Sequence, residues 1–511
     1  MAILENKDDT NNFRSTLAQV LASLTFSLLS FTIGFVIGMS TIVIGALRND
    51  HSPLGMNETE ASWFGSLAYV VQPLGCGASA ILQDVLGRKK CLMAVNILNL
   101  IAWIIIYFAT RTAYLFIAQT IMGIAMGFLE APVLSYIGEI TQPRLRGVLT
   151  SFSGIFFNLG VMVITSMSNI MDWRAVVLYS HDWSISSFVY VGVSTLEYIQ
   201  VIDKITALVF KLPNICQVPD SPAWLVTKGR VRDAEKAYQW LRGWVRPEDV
   251  KHELAAIVDY VKATQTPKFA RSTENPAVKT NADPKYPVVK NRLQLLTDPG
   301  VTRPFRIIVL YLITMACASL LAMKPFFIEI LETIGSPIRS HAVLAICGGL
   351  QTAGAICCGI CMRLIGKRRL SFLSLGLSTV SCLGLGGYLT FQPNYPWIPV
   401  TLFFLSYFAG PLGIGLIPFV LIMELFPLRA RGMASGICGA CAHGIFFTTT
   451  KTYYNLVNLV GISGACYFYG AVGVLGFIYF YWDLPETEGI SLEEIERKIR
   501  GRRNSIQYQT N

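Results

Sequence analysis

The chain of 511 residues is 53% hydrophobic and only 14% charged, with a mean hydropathy of +0.49. Soluble domains carry about 25% charged residues, so this composition excludes a soluble protein and indicates a lipid environment. The net charge of +10 is then expected to reflect basic loops rather than nucleic-acid binding. No nucleic-acid partner is predicted.

Apolar stretches recur along the whole chain, and about 20 apolar residues span a bilayer as a helix. The first stretches lie near residues 18–44, 62–82, 91–109, 113–137 and 148–170, followed by an ambiguous region at 175–218. Six more lie near 305–331, 341–362, 370–390, 398–424, 433–457 and 463–482. The pattern predicts twelve transmembrane helices.

These stretches divide the chain into four parts. They are an N-terminal six-helix half at 1–218, a cytoplasmic linker with short helices at 219–304, a C-terminal six-helix half at 305–482 and a cytoplasmic tail at 483–511. The first half contains an unusual insertion at about 175–204. We predict that this region crosses the membrane only once, because a second crossing would invert the following half and its charge bias.

Basic residues in the short loops predict the orientation of the chain. They occur at 87–90 (GRKK), 143–146 (PRLR), 366–369 (GKRR) and 428–431 (LRAR), all on one side. Lys and Arg concentrate in cytoplasmic loops, so both termini are predicted to be cytoplasmic. The one sequon, at Asn57, lies in the first loop on the opposite side, where N-glycosylation is predicted.

One charged pattern occurs twice. GEITQPRLRG at 138–147 and MELFPLRARG at 423–432 both place an acid before Arg-Gly. Glu139 and Glu424 are 285 residues apart, while Gly87 of GRKK and Gly366 of GKRR are 279 apart. The same motifs in the same order at nearly the same offset indicate an internal duplication of two six-helix halves.

Five segments in order carry a family resemblance: DVLGRKK (84–90), YIGEITQPRLRG (136–147), PDSPAWL (219–225), ELFPLRARG (424–432) and PETEGISLEEIE (485–496). They resemble the signatures of the sugar porters of the major facilitator superfamily, and the chain is most similar to the insect facilitated trehalose transporter-like group. The resemblance implies an all-α membrane protein with the major facilitator fold, twelve transmembrane helices in two six-helix halves. It also implies facilitated movement of a sugar.

The duplicated charges are interpreted as a conformational latch. Alternating access rocks one half against the other, and partly exposed ion pairs, worth roughly 1 kcal/mol each, would hold the cytoplasmic ends together reversibly. Simple positive-inside anchors are the alternative, but they leave the repeated glutamate unexplained. The predicted latch residues are Asp84, Arg88, Glu139, Arg146, Asp220, Glu424 and Arg431.

The expected sugar site departs from the family pattern. Sugar porters carry a Gln where this chain has Gly154 and an amide-rich run where it has MACASLL at 315–321. Phe419 stands in the place of a Trp, and Gln351 in the place of an Asn. For each polar residue a helix-to-helix hydrogen bond is an equal alternative to a substrate contact. The predicted substrate contacts are Gln351, Thr352, Asn158 and Phe419.

The likeness to sugar porters also bears on energy coupling. Proton-coupled relatives carry an Asp and an Arg where this chain has Val36 and Gln119, which favours passive transport. Glu130, Lys324 and Glu329 remain as ionisable residues at membrane depth, where such groups usually face a cavity or a partner. A structural ion pair between Lys324 and Glu329 is favoured over a proton relay.

Taken together, the sequence predicts a facilitative sugar uniporter of the plasma membrane that carries trehalose or a hexose. We expect a monomer without a cofactor. Most of the twelve cysteines lie in apolar runs and suit core packing better than a metal site. No residue pattern indicates an enzyme. A transport-deficient, transporter-like sensor or a carrier of a non-sugar solute stays open as the alternative, because the missing amides weaken the case for a sugar.

Overall fold

The computed structural model describes residues 2–48, 53–180, 218–255, 257–258, 299–393, 395–426 and 431–488. Within these ranges the secondary structure is helical and contains no β-strand. Eight helical stretches there are long and apolar enough to cross a membrane by length and composition. The two longest, Phe13–Leu47 and Gly300–Ile334, have 35 residues each and begin the two halves of the chain.

Five long helices build most of the N-terminal half: α1 (Ala2–Leu47), α2 (Glu58–Leu86), α3 (Arg88–Tyr107), α4 (Thr112–Ile140) and α5 (Pro143–Met167). A sixth helix, α6, is described over residues 173–180. The predicted insertion at 175–204 and its single crossing fall mainly on residues 181–217. That segment lies outside the described residues, so both stay predictions.

Three short helices follow in the linker region: α7 (Pro222–Thr227), α8 (Val231–Leu241) and α9, described over 247–255. The C-terminal part then contains α10 (Pro299–Ala318), α11 (Phe327–Ile334), α12 (Ser340–Ile365), α13 (Lys367–Phe391), α14 (Trp397–Leu412), α15 (Ile417–Leu425), α16 (Arg431–Lys451) and α17 (Tyr453–Asp483).

The two halves pack by the same scheme. In the first half α2 and α3 pack against α4, and α1 packs against α5. In the second half α12 and α13 pack against α14, and α10 packs against α16. The halves meet where α2 lies against α16 and where α5 lies against α12. The two junctions are equivalent, because superimposing one half on the other places each junction on the other one. This is expected of a duplicated bundle with a pseudo-two-fold axis.

Glycines allow two helix pairs of the first half to approach closely. A Cβ added to Gly34 or Gly160 would meet a backbone oxygen of the facing helix at the α1–α5 contact. Gly75 and Gly127 stand in the same relation between α2 and α4. Small residues at such contacts let backbones come together in membrane bundles, where lipid supplies no hydrophobic force between helices. The first half is therefore held as a tightly packed unit.

The seventh apolar run is a broken helix, although the sequence predicted a continuous one at 305–331. After α10, Leu320 adopts a left-handed conformation with φ of 53°. A 3-10 helix at Leu321–Phe326, which contains Pro325, then leads into α11. Proline lacks a backbone N–H and interrupts helical hydrogen bonding, which accounts for the break.

The tenth apolar run is also broken, between α14 and α15, where Gly413 and Gly415 occupy the turn. In the region of the predicted ranges 433–457 and 463–482, α16 ends at Lys451 and α17 begins at Tyr453. A kink at Gly461, with φ of 74°, lies inside α17. Glycine adopts this backbone conformation without steric cost, and the kink falls in the gap between the two predicted ranges.

Candidate functional site

An amide pair joins the two halves where α5 meets α12. Gln351 Nε2 donates a 2.6 Å hydrogen bond to Asn158 Oδ1, and Asn158 Nδ2 donates to the carbonyl of Gly154 at 2.7 Å. Only 5% of Gln351 and 2% of Asn158 is exposed. The structure therefore brings together two of the predicted substrate contacts, and it does so through a helix-to-helix hydrogen bond.

The other two predicted contacts lie on the second half. The hydroxyl of Thr352 is buried and donates to the Gly348 carbonyl at 3.0 Å within α12. Phe419 is half-buried on α15 and packs against the core of the second half. Nearby, a Cβ on Gly154 would lie 2.9 Å from Leu416 Cδ2. An apolar side chain of the opposite half thus covers the position where sugar porters carry a Gln.

A neutral hydrogen bond occupies the place where proton-coupled relatives carry a charged pair. Gln119 Nε2 donates to Ser40 Oγ at 2.8 Å, which links α4 to α1. Ser40 lies one helical turn after Val36, and its hydroxyl donates to the Val36 carbonyl at 3.3 Å. All three residues are buried. These side chains hold no ionisable group at this position.

The first half carries a charged cluster at its inner end, defined here as the end with the α2–α3, α4–α5 and α12–α13 connections. Arg88 Nη2 lies 2.8 Å from Glu139 Oε1. The hydroxyl of Ser221, in the linker, donates to the other oxygen of Glu139. Gly87 has φ of 90°, and a Cβ there would lie 3.0 Å from the ring of Trp224. The start of the linker is thus fastened to the helix ends of the first half.

The second half repeats this cluster with different residues. Lys367 Nζ donates to both carboxylate oxygens of Glu424, at 2.8 and 3.0 Å. The same ammonium lies 2.8 Å from Glu488 Oε2, beyond the last helix. Only 6% of the Lys367 side chain is exposed. A buried ammonium here binds two carboxylates, one from the bundle and one from the following segment.

The carboxylate of Glu486 caps the start of α13. It accepts hydrogen bonds from the backbone N–H groups of Lys367 at 3.1 Å and Arg368 at 3.0 Å. Anionic groups are favoured at helix N-termini, where backbone donors lack partners. Gly366 has φ of 88°, and a Cβ there would lie 2.6 Å from Glu486 Oε2. Gly366, which corresponds to Gly87 of the first half, is therefore required both by its positive φ and by the close approach of Glu486.

Three of the predicted latch residues take part in these clusters: Arg88, Glu139 and Glu424. In this conformation the ion pairs formed by the described side chains at the inner end do not join one half to the other. Each pair lies within one half or links that half to the segment that follows it. Asp220 is half-buried near Tyr136. The side chains of Asp84, Arg146 and Arg431 lie outside the described ones, so their predicted roles stay predictions.

Sequence reasoning missed Lys367, Glu486 and Glu488. A signal for Lys367 was present, because it follows Arg88 by 279 residues, the offset that also relates the two glycines. The repeated acid before Arg-Gly indicates Arg431 instead. The two tail glutamates belong to the PETEGISLEEIE segment that carries the family resemblance, but the sequence does not show which helix ends they contact.

At the outer end, opposite the charged clusters, an ion pair crosses between the halves. Arg48 Nε, at the end of α1, lies 3.5 Å from Glu329 Oε1 on α11. Arg48 Nη2 also lies 3.1 Å from Glu58 Oε1. The hydroxyl of Tyr454 donates to Glu329 Oε2 at 2.5 Å. The side chains of Arg48 and Glu329 are 18% and 28% exposed, so this contact is only partly shielded from solvent.

Two further outer contacts join the halves. The hydroxyl of Ser62 donates to the Lys451 carbonyl at 2.9 Å, and Lys451 Nζ lies 4.4 Å from the centroid of the Trp63 ring. On the other side, Ser168 Oγ lies 3.3 Å from His341 Nδ1. The first contact lies where α2 meets α16 and the second where α5 meets α12. Both junctions between the halves are therefore closed at the outer end.

The predicted ion pair between Lys324 and Glu329 is wrong. Lys324 Nζ lies over the ring of Tyr407, 5.3 Å from its centroid, while Glu329 contacts Arg48 and Tyr454. The break in the seventh helix separates the two side chains, because Lys324 lies in the 3-10 segment and Glu329 in α11. The side chain of Glu130 is outside the described residues.

Asn57 is exposed and caps the start of α2. Its Oδ1 accepts a 2.9 Å hydrogen bond from the Glu60 N–H, and the Asn57 N–H donates to the Glu60 carboxylate at 3.0 Å. This reciprocal arrangement is a capping box. The amide nitrogen that would carry a glycan is not part of the box, so the cap leaves it available.

Comparison with known proteins places these features in a family. The model of the Sugar (and other) transporter family matches residues 16–499. Among characterised proteins, the chain is 25% identical over 508 residues to the Facilitated trehalose transporter Tret1 of Polypedilum vanderplanki, covering 98% of this chain and 92% of that protein. It is 26% identical to the Tret1 of Culex quinquefasciatus, covering 96% and 87% of the two chains.

Solved structures with the same fold include the major facilitator superfamily proton:xylose symporter XylE bound to 6-bromo-6-deoxy-D-glucose. It superimposes with a TM-score of 0.68 at 18% identity, covering 94% of this chain and 98% of that one. A partially occluded inward open form of XylE from E. coli gives a TM-score of 0.67 at 15% identity, covering 93% and 99%. The all-α major facilitator fold predicted from the sequence is confirmed. The chain belongs to the Sugar (and other) transporter family and is a multi-pass membrane transporter.

Proposed function

We propose that this protein carries a sugar across the plasma membrane by facilitated diffusion, with trehalose or a hexose as the solute. The curated relatives bear the name facilitated trehalose transporter. The observation that carries the proposal is the neutral Gln119–Ser40 hydrogen bond, where proton-coupled relatives hold a carboxylate and a guanidinium. A site without an ionisable side chain cannot bind and release a proton during the cycle.

In the proposed cycle the two halves rock about the centre of the bundle. The outer contacts of Arg48, Ser62 and Ser168 with the opposite half keep the outer end closed. Opening to the outside requires their loss, and the charged residues of the inner end would then meet across the halves. The seven predicted latch residues are proposed to act in that outward-open state.

The solute is proposed to bind between the halves, beside Asn158 and Gln351. These amides bond to each other, and sugar hydroxyls would replace that bond with their own. Thr352 and Phe419 would complete the site, with the aromatic ring contacting the apolar face of the sugar. Because the two amides belong to different halves, a solute that bridges them couples its own binding to closure.

Uptake into proteoliposomes tests the proposal. Purified protein is reconstituted, and labelled trehalose and glucose are followed with and without a proton uncoupler, with protein-free vesicles as the control. We expect saturable uptake that the uncoupler leaves unchanged. Uptake that requires an imposed pH gradient would contradict facilitated diffusion and would call for another proton relay.

A transport-deficient sensor or a carrier of a non-sugar solute is the second candidate. It is favoured by the contact of Leu416 with Gly154, which places an apolar side chain where the family pattern has an amide. A thermal-shift panel of mono- and disaccharides on the purified protein separates the two candidates. Stabilisation by a sugar supports transport, whereas a flat response to every sugar, together with absent uptake, supports the second candidate.

The remaining proposals concern topology and assembly. The inner end, with its basic connections, is proposed to face the cytoplasm together with both termini. The glycosylation proposed at Asn57 would then lie on the cell exterior. The protein is proposed to act as a monomer, because one pair of halves forms the complete pathway of a major facilitator transporter.

A further inference from the structure

Lys324 is an ammonium inside a membrane-spanning region without an acidic partner in the described part of the chain. It belongs to the 3-10 segment Leu321–Phe326 that interrupts the seventh helix. Its Nζ lies 5.3 Å from the centroid of the Tyr407 ring. The carboxylate closest in sequence, Glu329, is engaged by Arg48 and Tyr454. The cation–π contact is therefore the interaction that the described residues provide for this charge.

The cation–π contact does not offset the free-energy cost of placing the Lys324 ammonium inside a membrane-spanning region. Moving an ammonium out of water costs far more than an aromatic ring returns, and intramembrane ionisable groups usually pair or face a cavity. Lys324 keeps intermediate solvent accessibility, although Tyr407 and Cys347 beside it are buried. A partly accessible cation among buried neighbours is suited to binding an anion.

The position of Lys324 relates this cation to the proposed sugar site. The segment that carries it contacts the opposite half, since Thr41 donates to the Lys324 carbonyl at 3.1 Å and Pro325 packs beside Gly65. Its neighbour Cys347 lies four residues before Gln351 on α12. Residues four apart share a helix face at a rise of about 6 Å. Lys324 therefore lies near the turn of α12 that precedes Gln351.

We propose that Lys324 binds the carboxylate of a hexuronate whose ring hydroxyls reach the Asn158–Gln351 pair. The inference rests on the proposed function, because it assigns a substrate class to the same site. A sugar acid supplies an anion for Lys324, for which the described part of the chain offers no carboxylate, and it supplies hydroxyls for the two amides. A neutral sugar supplies only the second, so the site favours the acid over a neutral hexose of the same size.

Thermal shifts of the purified full chain test this assignment, with sodium glucuronate, glucose and sodium acetate as probes at matched ionic strength. We expect glucuronate to raise the unfolding temperature more than glucose or acetate does. Lys324→Met should weaken apparent glucuronate affinity about 10- to 100-fold, because a charge-assisted hydrogen bond is lost. Lys324→Arg, which keeps the charge, should restore part of the shift.

A matched control is Lys236→Met, which removes an exposed lysine from the linker helix α8 and should leave the glucuronate response unchanged. An equal shift in wild type and Lys324→Met would overturn the proposal, as would acetate matching glucuronate. Neutral-sugar uptake by the wild type reports separately on facilitated transport. Trehalose uptake without a Lys324-dependent glucuronate response would therefore contradict only the hexuronate assignment. Glucuronate binding without any sugar uptake would contradict only the proposed transport.

Discussion

The two ends of this transporter organise charge in opposite ways. At the outer end, the Arg48–Glu329 ion pair joins one half to the other. At the inner end, the Arg88–Glu139 and Lys367–Glu424 pairs each join helices of one half. The outer contacts therefore hold a conformation, whereas the inner ones hold the shape of each half. A rocking mechanism needs both, because a bundle must stay rigid while its contacts with the other bundle break.

Burial distinguishes the Lys367 ammonium from the other charged groups of both ends. The Lys367 side chain is 6% exposed, whereas Arg48 and Glu329 are 18% and 28% exposed. Partly exposed pairs contribute about 1 kcal/mol or less, but breaking a buried pair leaves an uncompensated charge. The difference predicts that loss of the Lys367 charge costs more stability than loss of the outer Arg48–Glu329 pair.

The largest effect is expected at Lys367. Lys367→Met leaves the carboxylates of Glu424 and Glu488 without their shared cation, which should destabilise the protein by about 3–5 kcal/mol. The midpoint of unfolding in detergent measures the loss. Lys236→Met, at an exposed linker position, serves as the control and should change the midpoint little. Equal midpoints for both variants would show that the inner cluster does not hold the second half together.

A smaller loss is expected at Gly366. Gly366→Ala places a methyl group against Glu486 and forces alanine to adopt φ of 88°, which should cost about 1–3 kcal/mol. Gly444→Ala is the control, since a Cβ there meets nothing within 4 Å and φ is not positive. Unfolding midpoints of the two variants give the comparison. If the Gly366→Ala protein were as stable as the control, the inner cluster would not require glycine at this position.

At the outer end, a change in conformation is expected rather than a loss of fold. Arg48→Ala removes the pair with Glu329 and should shift the equilibrium towards outward opening about fivefold, which corresponds to ~1 kcal/mol. The yield of a disulfide between Ser168→Cys and His341→Cys, which replace an outer contact of 3.3 Å, measures closure. The yield should fall when Arg48→Ala is added. An unchanged yield would mean that the outer ion pair does not hold the closed state.

The smallest effect is expected at the sequon and fixes which end is outside. Thr59→Ala abolishes the sequon but spares the capping box of Asn57 and Glu60. The variant should lose its glycan, seen as faster migration on a gel, with the unfolding midpoint nearly unchanged. Treatment of the wild type with a glycosidase should give the same mobility. A wild-type protein without glycan would leave the direction of the two ends to be fixed by other labels.

Repetition in the sequence predicted the fold well. The recurrence of Gly87 and Glu139 as Gly366 and Glu424 indicated two related halves, and the structure uses all four at corresponding positions. Pairing was harder to predict, because it depends on which helix ends meet. The Lys324–Glu329 pair failed because a break between the residues redirects their side chains, and hydropathy contains no signal for such a break.

The central site was predicted only in part. Asn158 and Gln351 do meet, but the sequence could not show that they satisfy each other across the halves. Leu416 covers Gly154 through the turn between α14 and α15, and this contact follows from the turn geometry rather than from spacing. Contacts across the halves depend on a conformation, which residue patterns within one helix do not encode.

The cap that Glu486 places on α13 makes the first residues after the last helix an integral part of the bundle. A messenger that terminated translation just after Asp483 would encode every membrane crossing of the second half. Its product would nonetheless leave two backbone donors of α13 bare and remove Glu488 from Lys367. Such a truncated chain should therefore unfold at a lower temperature than the full chain, because Glu486 and Glu488 stabilise the start of α13.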